Sequence, residues 1–217
     1  MMETGERELQ GLVVAAGLSR RMGDFKPLLP MNGRTMIEQT ILSMLCAGVR
    51  RVVVVLGHRG EEVEAVLRNS GFRDRICVVY NRDYSTTEML DSIKLGAAAL
   101  HPRGDFFLLP GDVPMVSPGT FRAVREAHLE NGKDVTFPAL AGRRKHPPLI
   151  SASCIGQILA YHGENGLRGL WAGMEDRIGL VPVDDLGCTM DVDEPRDYRR
   201  ALQYLEDPAE RKEAEGA

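Results

Sequence analysis

The sequence predicts an α/β fold: a single domain built on a mostly parallel sheet with helices on both faces. Three observations carry this. Short apolar runs alternate with amphipathic stretches through the first 130 residues, and Val52 to Leu56 is apolar at every position, as a strand covered on both faces requires. The chain has 217 residues, of which 43% are hydrophobic and 27% charged. A chain of this mass buries about 70% of its unfolded surface, enough for one full core.

The elements follow in order. Leu12-Val13-Val14-Ala15 reads as the first strand, and Met36 to Ala47 as a helix, because Ile37, Ile41, Met44 and Leu45 recur at helical spacing. Val52 to Leu56 is the next strand, Glu61 to Arg68 a helix and Ile76 to Tyr80 a strand. A helix over Leu90 to Leu100, a strand over Phe106 to Leu109 and a helix from Pro118 to Glu130 continue the pattern, Pro118 suiting a first helical turn. Beyond it the regularity weakens. A short strand from Val135, a Gly/Arg/Pro-rich loop from Ala141 to Pro148, helices near Ile155 to Tyr161 and Leu167 to Ala172, and a strand around Ile178 to Val183 read as an insertion shaping one side of a site. A helix from about Pro195 to Leu205 closes the fold. Residues 1–9 read as an N-terminal extension, 10–205 as the domain and 206–217 as a charged, frayed tail.

Composition removes several function classes. The formal net charge is −4, and the tail from Glu206 holds five acids against two bases, leaving a body near −1. Counterion release favours a basic excess, so nucleic acid is not an expected partner. Cys46, Cys77, Cys154 and Cys188 stand far apart with no C-x-x-C pair, which argues for reduced thiols, mostly buried, and against a zinc ribbon or a disulfide framework. The acidic start lacks an apolar export signal and no run spans a bilayer, so the expected location is the cytoplasm, with no membrane partner.

Ligands of open α/β sheets bind beyond the carboxyl ends of strands, so those loops are the candidate site. The first runs from Ala15 to Pro30. Ala15, Ala16 and Gly17 let a ligand lie against backbone, while Arg21 and Lys26 with free N–H groups suit a polyphosphate. It matches neither G-x-x-x-x-G-K-[ST] nor G-x-G-x-x-G nor G-x-S-x-G. The second, Leu109-Pro110-Gly111-Asp112-Val113-Pro114, offers a carboxylate suited to Mg²⁺. The third, Thr189 to Pro195, carries alternating acids. Asp193 or Glu194 is expected to cap the helix that Pro195 opens, which makes Asp191 the better second metal carboxylate, although the choice between Asp191 and Asp193 stays open. In Gly142-Arg143-Arg144-Lys145-His146-Pro147-Pro148 three cations precede a rigid Pro pair, so the loop is either a seat for an anionic substrate or a solvated basic loop. His58, His101, His128 and His162 have no partner at motif spacing and read as surface or packing residues.

Taken together, these residues resemble the nucleotidyltransferases of the molybdenum-cofactor type, and most closely their molybdopterin cytidylyltransferase branch. The resemblance runs from about Leu12 to Leu202. It includes A-A-G-x-S-x-R-M-G-x-x-K-x-L-L-P from Ala15 to Pro30, G-D-x-P at Gly111 to Pro114, H-P at His146-Pro147 and D-x-D-x-P-x-D at Asp191 to Asp197. It implies a fold of the nucleotide-diphospho-sugar transferase, Rossmann-like kind. Carried over by position, Ala15, Ala16 and Gly17 sit against the nucleotide, Arg21 and Lys26 bind its phosphates, and Asp112 binds Mg²⁺ with Asp191 in the completing loop. Asn81 and Ser92 fall at nucleotide-binding positions, and His146 and Pro147 in the substrate loop. Glu88 stands where relatives usually have Gly.

The implied reaction moves CMP from CTP onto the terminal phosphate of molybdopterin, with Mg²⁺, releasing pyrophosphate. A molybdenum hydroxylase is the implied recipient of the product. The absence of a nucleophile-base pair fits, since positioning and charge stabilisation suffice and the acceptor phosphate is itself the nucleophile. Guanylyl or sugar- and polyol-phosphate transfer on the same fold are the alternatives, as is a non-catalytic delivery protein. Ala16 favours cytidine, because guanylyl relatives usually carry Gly there, and the retained Lys26 and Asp112 argue against a dead enzyme.

Overall fold

The computed structural model describes residues 8–18 and 21–206. Most of the N-terminal extension, the tail beyond Glu206 and two residues of the first loop, Ser19 and Arg20, therefore lie outside the described residues. The first half runs β1 (Gln10–Ala15), β2 (Pro30–Met31), β3 (Arg34–Thr35), α1 (Met36–Cys46), β4 (Arg51–Leu56), α2 (Gly60–Arg68), β5 (Ile76–Tyr80), α3 (Met89–Ala98) and β6 (Phe106–Pro110). The second half runs α4 (Pro118–Asn131), β7 (Val135–Leu140), β8 (Arg143–Arg144), β9 (Leu149–Ile150), α5 (Ile155–Ala160), α6 (Leu167–Ala172), β10 (Ile178–Pro182) and α7 (Pro195–Glu206). No helix among the described residues is long and apolar enough to cross a membrane.

The main sheet has the order β10-β7-β9-β6-β1-β4-β5, with β8 paired to β7. β1 is parallel to both β4 and β6, β5 is parallel to β4, and β10 is parallel to β7. The chain therefore leaves β1 toward β4 and β5, then returns to lay β6 on the other side of β1. That reversal opens a crevice beyond the carboxyl ends of β1 and β6.

The stretch expected to be an insertion is part of this sheet. β7 and β10 extend it, and the two-residue β9 runs antiparallel between β6 and β7. Two residues are too few to show a period of two, and the two prolines before β9 read as loop.

Strand side chains alternate between two apolar layers. Val13, Val54, Phe107 and Leu109 pack with Ile37 and Ile41 of α1, Val63 of α2 and Phe121 of α4. On the other face Leu12, Val53, Val55 and Leu108 pack with Ile93 and Ala97 of α3, Ile158 of α5 and Trp171 of α6. A third cluster contains Met22, Met31, Met36, Met115 and Met190 with Val192, Ala201 and Tyr204. It seats α7 against the β2–β3 hairpin and the loop after β6. Unbranched thioether side chains suit this irregular junction, which ties the end of the chain to the first loop.

Candidate active site at the carboxyl end of the sheet

A cavity of about 200 Å³ opens beyond the carboxyl ends of β1 and β6. Ala15, Ala16 and Gly17 form one wall with Lys26 and Pro27, Pro110 to Asp112 form a second, and Tyr84, Thr87, Glu88, Met89 and Ser92 form a third. Gly111 is dictated by the crossing of the first two walls. Its N–H donates to the Val14 carbonyl at 2.9 Å, and a Cβ there would come within 2.9 Å of the Ala15 Cβ.

The expected charged residues converge, with one addition. Lys26 Nζ donates to Asp193 Oδ1 at 2.7 Å and to Asp112 Oδ2 at 3.1 Å, and its side chain is only 11% exposed. Arg21 meets the other Asp193 oxygen at 3.0 Å. The hydrogen bond from Lys26 holds the Asp193 carboxyl below the usual carboxylate range. Asp193 is therefore not the helix cap expected for it. Glu194, the other candidate, directly precedes the helix: its carbonyl accepts from the N–H groups of Asp197 at 2.9 Å and Tyr198 at 3.2 Å, while Asp197 Oδ2 accepts from the N–H groups of Asp193 at 3.3 Å and Glu194 at 2.8 Å. The signal was present in the spacing: Pro195 begins the helix and an acid follows in its first turn.

Asp191 lies within electrostatic reach of Asp112. Partial withdrawal from water raises its pKa, and the negative charge of Asp112 raises it further. A divalent cation would relieve that crowding, so Asp112 and Asp191 fit a hard metal ion. Among the described residues no three Asp, Glu, His or Cys side chains gather at metal-ligand spacing, so phosphate oxygens and water would complete the shell.

Asn81 is buried behind the cavity wall rather than on it. Its amide nitrogen donates to Thr87 Oγ1 and Ser92 Oγ, both at 2.9 Å, while its carbonyl oxygen accepts from the Asp83 N–H at 3.1 Å. Its hydrogen bonding is spent on shaping the 81–88 loop, and of the pair only Ser92 faces the cavity. Glu88 is at the N-terminus of α3, its N–H donating to Asp91 Oδ2 at 2.9 Å. His58 packs between Phe25 and Tyr84, with ring centroids 5.7 and 5.8 Å away, bridging the first loop and the 81–88 loop.

His146 sits close enough to Asp191 and Asp112 to feel both charges, yet burial pushes its imidazole below the usual value. Its Nδ1 is buried with no hydrogen-bond partner among the described residues. Of the three cations before it, Arg144 is committed to Glu175 and lies over the Phe137 ring. Lys145 remains within electrostatic reach of Asp191, and Arg168 from α6, which no motif marked, is within reach of His146. Of the four thiols, Cys154 and Cys188 are buried, whereas Cys46 is exposed and Cys77 half-buried.

The MobA-like NTP transferase domain matches residues 11–178. This chain belongs to that family. The sheet order and helical layers are those of the nucleotide-diphospho-sugar transferase fold. It is 29% identical over 194 residues to the molybdenum cofactor cytidylyltransferase of Escherichia coli, covering 88% of this chain and 94% of that one. It is also 29% identical over 199 residues to nicotine blue oxidoreductase of Paenarthrobacter nicotinovorans, covering 88% and 95%. Rv0371c of Mycobacterium tuberculosis, solved in complex with manganese, matches with a TM-score of 0.70 at 26% identity, over 90% of this chain and 98% of that one.

Proposed function

We propose that this NTP transferase family member is a cytidylyltransferase that moves CMP from CTP onto the terminal phosphate of molybdopterin. The observation that carries the reading is the convergence of Lys26, Arg21 and Asp112 beside a cavity floored by Ala15, Ala16 and Gly17. The cytidylyltransferase of E. coli matches across nearly its whole length, and Ala16 stands where the resemblance associates alanine with cytidine. The alternatives of guanylyl transfer and polyol-phosphate acceptors are resolved by substrate choice.

In this reading the small residues at the end of β1 admit the nucleotide against backbone, and Ser92 faces it from α3. Lys26 and Arg21 hold the triphosphate in line and offset the charge gathering on the α-phosphate and the leaving pyrophosphate. Asp112 and Asp191 would hold Mg²⁺, which acts as a Lewis acid on the phosphate oxygens; a homologous chain binds manganese. The acceptor phosphate enters from the His146 side, where Lys145 and Arg168 supply positive charge, and attacks the α-phosphorus as pyrophosphate departs.

The test is pyrophosphate release from each of the four NTPs with Mg²⁺ and molybdopterin, methylerythritol phosphate or a simple sugar phosphate. CTP with molybdopterin is expected to turn over fastest. CTP with Mg²⁺ is also expected to raise Tm most, because a ligand at about 100 times its Kd stabilises the native state by about 2.7 kcal/mol. Preference for GTP would replace cytidylyl with guanylyl transfer. The equally identical nicotine blue oxidoreductase gives a second reading, favoured only if no NTP releases pyrophosphate and the protein instead shows oxidoreductase activity on nicotine blue.

A further inference from the structure

We propose that Asp193 is a positioning residue for nucleotidyl transfer: it draws Lys26 and Arg21 toward itself and so leaves an oxygen of Asp112 open to a divalent cation. The proposal rests on the NTP-transferase reading of this site. Lys26 has two carboxylates to choose from and lies nearer to Asp193, at 2.7 Å, than to Asp112, at 3.1 Å. It touches only Oδ2 of Asp112. Because the Lys26 side chain is only 11% exposed, water does little to satisfy its ammonium. Without the Asp193 charge, Asp112 becomes its one remaining counter-ion among these carboxylates. Lys26 then competes with the cation for that group.

The place of Asp193 is fixed independently of these contacts. The adjacent Val192 N–H donates to the Asp112 carbonyl at 2.9 Å, and Val192 and Met190 are buried in the methionine cluster. Glu194 stands at the helix start and Asp197 Oδ2 accepts from the N–H groups of Asp193 and Glu194, so the Asp193 carboxylate spans both cations, with Arg21 3.0 Å from its second oxygen. Removing a negative charge from a phosphate site has an opposite effect, which would tighten nucleotide binding. That effect is the smaller one, because two cations in direct contact already neutralise Asp193.

The experiment compares full-length wild type, Asp193→Asn, Asp193→Glu, Lys26→Ala and the Lys26→Ala/Asp193→Asn double variant. It measures Mn²⁺ binding by electron paramagnetic resonance with saturating CTP, kcat and the KM for CTP separately, and Tm. Asp193→Asn is expected to weaken Mn²⁺ binding at least about fivefold and to lower kcat more than it raises KM, with Asp193→Glu restoring most of the loss. In the Lys26→Ala background the same Asn substitution should change Mn²⁺ binding less than about twofold, since Lys26 is the cation that Asp193 shares with Asp112, and Arg21 is paired with Asp193.

An undiminished effect in that background overturns the proposal and makes Asp193 a direct metal ligand or a purely structural group. Tighter CTP binding with normal kcat in Asp193→Asn overturns it as well and makes Asp193 a brake. Should Asp193→Asn not fold, Asp193→Glu decides: near-normal Mn²⁺ binding supports a charge-based role, and a loss that persists beside Lys26→Ala refutes it. Failure of wild type to release pyrophosphate from any NTP would sink the functional reading alone, since Mn²⁺ binding still reports on Asp193.

Discussion

At Asp112 the side chain and the backbone do separate work. The backbone carbonyl accepts from Val192 and holds the closing segment of the chain, while the carboxylate shares Lys26 with Asp193. Asp112→Asn keeps the backbone tie and the shape but removes the charge a hard cation needs. We expect the ligand-free stability to stay within about 1 kcal/mol of wild type, because Lys26 keeps its shorter contact to Asp193. Turnover should fall at least about a hundredfold in kcat/KM, equivalent to ~2.7 kcal/mol of transition-state stabilisation. Urea denaturation and steady-state kinetics on the same preparation check this, and a variant that loses stability while turning over normally would return Asp112 to the scaffold.

At the scale of elements, the close approach of α3 to β1 and β4 places the cavity wall that carries Ser92. Gly96 makes it possible: a Cβ there would lie 2.2 Å from Leu12 Cδ1 and 2.7 Å from Val55 Cγ2, both side chains being fully buried. Gly96→Ala sets two effects against each other. Helix propensity gains about 1 kcal/mol, while overpacking costs about 1–3 kcal/mol and displaces α3. We expect net destabilisation by chemical denaturation, together with weaker nucleotide binding as Ser92 shifts. A more stable variant would show that the core yields there and that the packing of α3 does not set the wall.

At the scale of the molecule, the far edge of the sheet is held by a polar pair rather than by its apolar layers alone. Asp134, just before β7, pairs with Arg177, just before β10. The guanidinium hydrogen bond holds the Asp134 carboxyl below its usual range. A carboxylate with a depressed folded pKa contributes its stability fully above the unfolded value of about 3.9, and that contribution is lost as pH falls through the folded value. Asp134→Asn should therefore lower Tm at pH 7, with the gap to wild type shrinking once pH drops below about 4. Calorimetry across that range checks it, and a gap that is constant with pH would show that the pair's charge contributes nothing.

The sequence by itself determined the alternation of strands and helices as far as α4, because period and apolarity are local properties that packing on two faces requires. It also marked the loops after β1 and β6 that line the cavity, since small residues, cations and an isolated Gly-Asp turn stand out within a few residues. It left obscure what depends on partners far along the chain. A two-residue strand such as β9 has no period to read, and its antiparallel place between β6 and β7 comes from the sheet around it. Lys26 read as a phosphate-binding lysine of the first loop, and the fold buries it between carboxylates from two distant segments. Asp193 or Glu194 read as the cap, and Glu194 holds that place while Asp193 meets Lys26 and Arg21; Asn81 lies behind the cavity wall, bonded to Ser92. Composition within a loop records what a group is able to bind; which group it meets is decided by tertiary packing, because ion pairs and hydrogen bonds depend on distances that only the folded chain sets.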